Sequence, residues 1–458
     1  VRRFFKYLIV RPLLALLVVL LIALVLVGLL ASTQTGTGLL VSAAQRFLPA
    51  LAIEGESGYL ADKVKADKLT WEQDTLKVAA ENATFDVDIN PFQVPPSVMV
   101  QELSADTLRI SLKPTDDETD QTDAPLVVPD INLPIALAVN KTQVGRLIVE
   151  QDGKPIVSIR DVNLSAYTEG NRLYLEELYG DLYDEQGSVV VQASGEMGLL
   201  QPHDLSLQAT VEGKESQYGT GELVLLADGE LQNYQLQVDG HWQYQRYPDY
   251  ELALKAQGSF EAMTIESLAL NGEQGDRLSG AGQVTWKPQL AWDVALQGEH
   301  INPAVFAPEA DIAGDLALQV SSSGEIVAGE PTLAVQVQQL AGTLRDYPVQ
   351  ATLDGRIEQG QITLQSLAAS VGDNRLQASG GGSDNVNIDW QIDAPELSQL
   401  APQLQGRLAG QGSLAAKLDG SQFALDIADL EGKVLDYPVQ ASGGISLQDG
   451  LLSARDLQ

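Results

Sequence analysis

The sequence predicts a mainly β protein: a transmembrane helix and a short amphipathic helix, then a long, repetitive, curled antiparallel β-sheet forming an elongated hydrophobic groove. Three observations predict it. Apolar and polar residues alternate at period two through most of the chain beyond Ile53. The hexapeptide DYPVQA occurs at Asp346–Ala351 and, ninety residues on, at Asp436–Ala441. Ahead of all this lies a nineteen-residue run without a charge, Leu13 to Ala31.

That run would be about 28 Å long as a helix, against a bilayer hydrocarbon core of about 30 Å. Leu13, Leu17, Leu20, Leu24, Val27 and Leu30 are its expected lipid-facing anchor positions. Arg2, Arg3, Lys6 and Arg11 precede it, and no basic residue follows until Arg46. The positive-inside bias therefore leaves residues 1–31 as a cytoplasmic stub and uncleaved signal anchor, with the bulk of the chain across the membrane. Residues 32–52 are a polar spacer and an amphipathic helix, in which Leu39, Leu40, Ala43, Ala44, Phe47 and Leu48 share one stripe that ends at Pro49.

Residues 53–114 form a first β segment, in which Phe85, Val87 and Ile89 alternate with Asp86 and Asp88. The acidic stretch 115–130, TDDETDQTDAPLVVPD, reads as a solvated loop that lacks the D-x-D-x-D-G spacing of a calcium-binding EF-hand. Removing Asp116 to Asp123 is expected to leave the fold nearly unchanged.

From 131 to 458 the alternation is almost continuous, broken by Gly, Asp or Asn at turns. The apolar positions Leu236, Val238 and Trp242 begin the expected groove lining, followed by Leu252 and Leu254. Trp292, Val294 and Leu296, then Leu316, Leu318 and Val320, continue it, and Val386, Ile388, Trp390 and Ile392 extend it further. At about 14 residues per strand and turn, the chain should hold some 30 strands. A shift of ninety also pairs Leu340 with Leu430, Gly342 with Gly432 and Gly360 with Gly450, so the repeat is a unit of structure. Gln458 falls partway through the second copy, which leads us to expect the N-terminal portion of a longer chain.

Composition narrows function further. The 62 acidic and 28 basic residues give a formal charge of -34, which repels nucleic-acid phosphate. There is no cysteine, so disulfides and thiolate chemistry are excluded. His203, His241 and His300 lie in no ligand or catalytic pattern and are expected at the surface, and neither a G-x-S-x-G elbow nor a P-loop occurs. Without a catalytic, metal or cofactor pattern, the chain does not read as an enzyme. An oily sheet face of this length must be covered by a second sheet, by solenoid closure, or by a ligand lying in a groove. The ninety-residue repeat is too long for a solenoid coil, and no linkers separate sandwich-sized blocks after Asp130.

Two stretches carry a family likeness. Ser267 to Leu316 and Arg375 to Gly420 share a G-D-(N)-R-L lead, at Gly275–Leu278 and Gly372–Leu376, into a glycine-rich strand. The tryptophans Trp286, Trp292 and Trp390, and a D-A-P-E-L turn at Asp393–Leu397, accompany it. With the N-terminal anchor and TGTGLL at Thr35–Leu40, these features resemble TamB, the family of inner-membrane subunits of bacterial translocation and assembly modules, within the AsmA-like and bridge-like lipid-transfer group. The resemblance implies a single-pass bacterial inner-membrane protein with a periplasmic β-groove. It also implies that phospholipid acyl chains travel along that groove between inner and outer membranes. It implies an outer-membrane barrel partner too, met through a C-terminal region not recognisable in this sequence. The alternative is a scaffold or chaperone that offers sheet edges to outer-membrane strands without conducting lipid.

Overall fold

The computed structural model describes residues 50–112 and 128–455, apart from breaks at 56, 59–62, 74–75, 91, 152, 185–186, 217, 306–311, 328, 418–421, 436 and 449–450. The expected anchor (Leu13–Ala31), its basic flank and the amphipathic helix at 39–48 lie outside these residues. The described chain is strand and turn, with 26 strands and two single-turn 3-10 helices, at Pro303–Val305 and Leu397–Gln399. Among the described residues no helix is long and apolar enough to cross a membrane. The chain divides into two compact units, one running up to Arg246 and including Gln257–Phe260, the other comprising Tyr247–Ala256 and Glu261–Gln458.

The first unit holds β1 (Leu51–Glu54), β2 (Ser57–Gly58), β3 (Val64–Glu72), β4 (Leu76–Asn90), β5 (Ser97–Leu112) and β6 (Ala136–Gln151). It continues with β7 (Lys154–Glu169), β8 (Arg172–Asp184), β9 (Gly187–Gly198), β10 (Asp204–Ser216), β11 (Gly219–Glu230) and β12 (Asn233–Gln243). Both β1 and β2 pair with β3, and from β3 onward each strand pairs with the next. A wholly antiparallel sheet was expected, but β5 and β6 are parallel, with Ser97 beside Ala136 and Leu112 beside Gln151. Parallel neighbours cannot be joined by a hairpin. The connection that follows Leu112 must therefore cross from one end of the sixteen-residue strands to the other; residues 113–127, which hold most of the expected acidic loop, lie outside the described residues.

The described end of that crossover is bonded to the β9–β10 turn. The Ile131 amide donates to Leu199 O at 2.8 Å, and the Gln201 amide donates to Asp130 Oδ1 at 2.7 Å. His203, expected at the surface, is 6% exposed beneath it. Its Nδ1 and Nε2 each lie 3.2 Å from a carbonyl oxygen, of Gly198 and Val128 respectively. His241 and His300 are exposed as expected. A closed core lies among β3 to β7, around Ile110 and Val149 at 1% exposure, with Leu69, Trp71, Val78 and Leu147.

The second unit holds β13 (Asp249–Gly258), β14 (Ala262–Gly272), β15 (Arg277–Thr285), β16 (Leu290–Ile301), β17 (Gly314–Val327), β18 (Glu330–Leu344) and β19 (Tyr347–Glu358). It ends with β20 (Gln361–Val371), β21 (Asn374–Gly382), β22 (Asn385–Ala394), β23 (Gly406–Lys417), β24 (Gln422–Val434), β25 (Tyr437–Gln448) and β26 (Leu451–Arg455). From β14 onward every strand pairs antiparallel with its successor.

Here the hexapeptide finds its explanation. Arg345 and Asp346, at φ 47° and 68°, form the two-residue turn between β18 and β19, both in the left-handed region that a type I′ hairpin demands. Tyr347 then opens β19 and Val349 is 8% exposed. The second copy occupies the β24–β25 turn, so the repeat is six strands long. Its irregularities repeat too: β18 bulges between Val337 and Leu340, and β24 between Ile427 and Leu430. A bulge bends its strand and increases local twist, so curvature is placed at equivalent points in each copy.

Candidate functional site

Directly opposed residues of an antiparallel pair project to the same face of the sheet, so registers trace a face from strand to strand. In the second unit one row runs Leu268, Gly280, Leu296, Val320, Val337, Leu353, Leu367, Ala378, Trp390, Gly412, Ile427, Gly443. Twelve strands contribute without one polar side chain. A neighbouring row runs Leu270, Leu278, Gly298, Leu318, Leu340, Ala351, Ala369, Leu376, Ile392, Gly410, Leu430, Ala441, again wholly apolar. On the other side of the first row, Val294 faces Gly282 and Ser322, and Ile388 faces Gly380 and Leu414. The first unit has its own row, Val87, Val100, Val139, Ala166, Leu175, Gly195, Leu207, Ala227, Leu236.

These faces are not sealed. Of the fifteen sequence-predicted lining residues, Val238 is buried and the other fourteen are half-buried. Their sequence neighbours Ala295, Gln319 and Asn387 are exposed on the opposite face. In the second unit the buried large apolar side chains among the described residues are Val349 and Leu397. A sandwich interior would bury such strips almost completely.

Glycines stand among the large apolar side chains of this face, and at two positions the reason is visible. The indole of Trp292 lies against Gly324 across the β16–β17 pair, where a Cβ would come within 2.6 Å of ring carbon Cζ2. Trp390 lies in the same way against Gly412, where a Cβ would come within 2.7 Å. The missing side chains thereby leave room for the two indoles. Trp292 Nε1 donates to Ser322 Oγ at 3.0 Å, which accommodates the one polar side chain among the neighbours of Val294.

The two motifs that carried the family likeness meet at one end of the strands. Asn374, 3% exposed, donates through Nδ2 to Val371 O at 3.0 Å and Glu396 O at 2.9 Å, and its Oδ1 accepts from the Glu396 amide at 3.1 Å. Gln399 Oε1 accepts from the Asp373 amide at 2.8 Å. The G-D-N-R-L turn is thus bonded to the D-A-P-E-L loop, whose Ala394 and Leu397 are buried. Arg345, from the β18–β19 turn, donates to Leu400 O of the same loop. In the earlier copy Asp276 takes the position of Asn374; it is 7% exposed and accepts from the Tyr250 hydroxyl. Burial, followed by that hydrogen bond, raises the Tyr250 pKa. Alternation says nothing of such locks; the equivalence of Asp276 and Asn374 under a 98-residue shift was the available signal.

Among the described residues no group of three His, Cys, Asp or Glu side chains could hold a metal ion. A polar depression between β19 and β20, lined by Asp354, Arg356, Glu358 and Thr363, lies on the face opposite the apolar rows.

A family model described as TamB, N-terminal domain, matches residues 23–181 and 183–428. Among curated proteins the chain is similar to the translocation and assembly module subunit TamB of Haemophilus influenzae, at 24% identity over 293 residues. The match covers 61% of this chain and 22% of that relative. The chain therefore spans about a fifth of the relative's length. No solved structure matches it.

Proposed function

The chain belongs to the TamB N-terminal domain family, and we propose that it is a lipid-conducting segment of a translocation and assembly module: phospholipid acyl chains lie along the apolar rows while headgroups remain in water. The observation that carries this reading is the unbroken apolar row across β14 to β25. Eleven inter-strand steps of about 4.8 Å make a track of roughly 53 Å. One leaflet of acyl chains spans about 15 Å, half of a bilayer core. A site for one lipid would need a third of that length, whereas a track along which lipids follow one another uses all of it.

In this reading the N-terminal run Leu13–Ala31 holds the chain in the bacterial inner membrane with its bulk in the periplasm. An outer-membrane barrel protein is the partner of the longer protein. Lipid moves by sliding along aliphatic and indole surface, so no side chain reacts and no cofactor is required.

Photocrosslinking in cells tests the reading. Crosslinkers at Val294, Leu318 and Ile388 should each yield lipid adducts, and those at Ala295, Gln319 and Asn387 should not. Adducts at none of the inward positions would sink conduction. Peptide adducts in their place would favour the chaperone reading, in which the same surface receives unfolded outer-membrane strands.

A further inference from the structure

We propose that phospholipids on the second unit travel with their headgroups over one rim of the apolar face only, the rim at the β17–β18, β19–β20 and β21–β22 turns, because the connector between β22 and β23 closes the opposite rim. The proposal rests on the conduction reading and adds an orientation to it. At the connector end, successive turns are tied together. Residues 395–405 reach back to the β20–β21 turn, where Glu396 and Gln399 bond Asn374 and Asp373, and to the β18–β19 turn, where Leu400 O accepts from Arg345. They also reach forward, since the Leu435 amide of the β24–β25 turn donates to Gln405 O at 2.9 Å. The Gly372 amide donates to Pro348 O at 2.8 Å, which joins the β18–β19 and β20–β21 hairpins directly. Val349, Ala394 and Leu397 at this end are 8%, 0% and 5% exposed.

The repeat supplies an internal control. Tyr347 and Tyr437 hold the same place in the two copies of the hexapeptide, each as the first residue of its strand. Tyr347 follows the turn to which the connector is bonded and is half-buried. Over Tyr437 no such connector lies among the described residues, and its side chain is 75% exposed. Sequence and turn are alike in the two copies, so closure of this end follows the connector.

The other end of the same strands is open. Gln359, Gly360, Ser383 and Asp384, which make the β19–β20 and β21–β22 turns, are exposed. Ile326, Phe423 and Leu447, on the apolar face near this end, are 36%, 42% and 40% exposed. Trp292 stands one inward position beyond Val294 toward this end, with its Nε1 on Ser322 Oγ. An indole with a polar partner suits the layer between acyl chain and headgroup, where tryptophan collects in membranes. From Val349 to Ile357 on β19 the face is about 26 Å across, at about 3.3 Å per residue. Two acyl layers of about 15 Å would nearly fill that width, so headgroups at both rims are the symmetric alternative. A charged phosphate leaving at the connector end would have to pass buried side chains and bonded backbone, and would lose its hydration in doing so. At the turn end it stays in water.

Two photoreactive lipids test the orientation. The full chain, extracted in mild detergent, would be incubated with phosphatidylethanolamine carrying a diazirine either on the headgroup amine or at the end of one acyl chain, and the crosslinked peptides mapped by mass spectrometry. The headgroup probe should label the peptides around Ile326, Ile357 and Ile362 several-fold more than those around Val349 and Leu397. The acyl-end probe should label the row of Leu340 and Ala351 instead. In the Asn374→Asp chain, which loses the donor bonds to Val371 O and Glu396 O, headgroup labelling around Val349 should rise several-fold. Unchanged labelling there, in a chain whose circular dichroism is unaltered, overturns the role given to the connector. With the acyl-end probe on the apolar face, headgroup labelling that is equal at the two ends, or stronger at Val349, refutes the one-sided rim and leaves conduction standing. If neither probe labels the apolar face, conduction fails and the orientation with it.

Discussion

Replacing Ile388 by Asp asks directly whether the apolar face is open. Ile388 lies at the middle of β22, half-buried, with Gly380 and Leu414 opposite it. Full burial of an isoleucine side chain is worth about 1.5 to 3 kcal/mol, so a half-buried one should lose about 1 kcal/mol on becoming polar. The new carboxylate can stay hydrated and escapes the burial penalty of a charge. Ile110→Asp is the contrast. That residue is 1% exposed inside the closed core, and the loss should reach about 4 kcal/mol or more from the missing packing and the desolvated carboxyl. With two units, one melting temperature would mix separate transitions. Hydrogen exchange of the β21 to β23 amides and of the β4 to β6 amides reads each site locally. Ile388→Asp should leave β22 protected to within about tenfold, since 1.4 kcal/mol is a factor of ten. Ile110→Asp should strip protection from β5. If both substitutions cost the same, the face around Ile388 is sealed, and the open-track reasoning fails.

Asn374→Asp replaces a donor by an acceptor facing Val371 O and Glu396 O, and should cost about 1 to 3 kcal/mol at neutral pH. Protonation of the new carboxyl restores a donor, so the loss, measured by exchange at the 395–405 loop, should shrink as pH falls. Deleting Asp116–Asp123, neutral if 115–130 were a free loop, should release the crossover. Val128 bonds beside the far end of the strands, about 50 Å from Leu112, while the eight remaining steps reach only about 27 Å. His203 should then become open to imidazole-modifying reagents, and continued protection would refute the argument. The Glu150 carboxyl is held below its usual pKa first by the Ser111 hydroxyl and then by Arg109. A lowered folded-state pKa contributes stability present above the unfolded value of 4.5 and lost as pH falls through the folded one. Ser111→Ala should therefore move the onset of acid loosening of β5 and β6 to higher pH, followed by circular dichroism.

Much of this protein is decided locally. Strand identity follows from side chains that alternate at period two, which only a pleated strand can sort onto two faces. The ninety-residue repeat was legible because both copies keep the same local turn chemistry, in which Asp346 tolerates positive φ and the following Tyr-Pro-Val begins a strand, whereas its count of six strands came from the fold. The apolar set, from Leu236 to Ile392, also needed no more than alternation.

Register is not local, and four findings depended on it. Whether Leu296 meets Val320 and Val320 meets Val337 is set by turn lengths and bulges tens of residues apart, so an unbroken row could not be read from any one strand. The parallel β5–β6 pair could not be foreseen, because a crossover and a solvated loop have the same composition. His203 is buried by a segment 75 residues away in sequence. Asn374 was legible only as part of the G-D-N-R-L lead into a strand, and its partners Glu396 and Gln399 are brought to it by the fold. In each case the sequence settles which way a side chain points, a matter of its own backbone. The tertiary structure settles what it meets there, because that partner is brought by pairing between strands whose alignment depends on every turn between them.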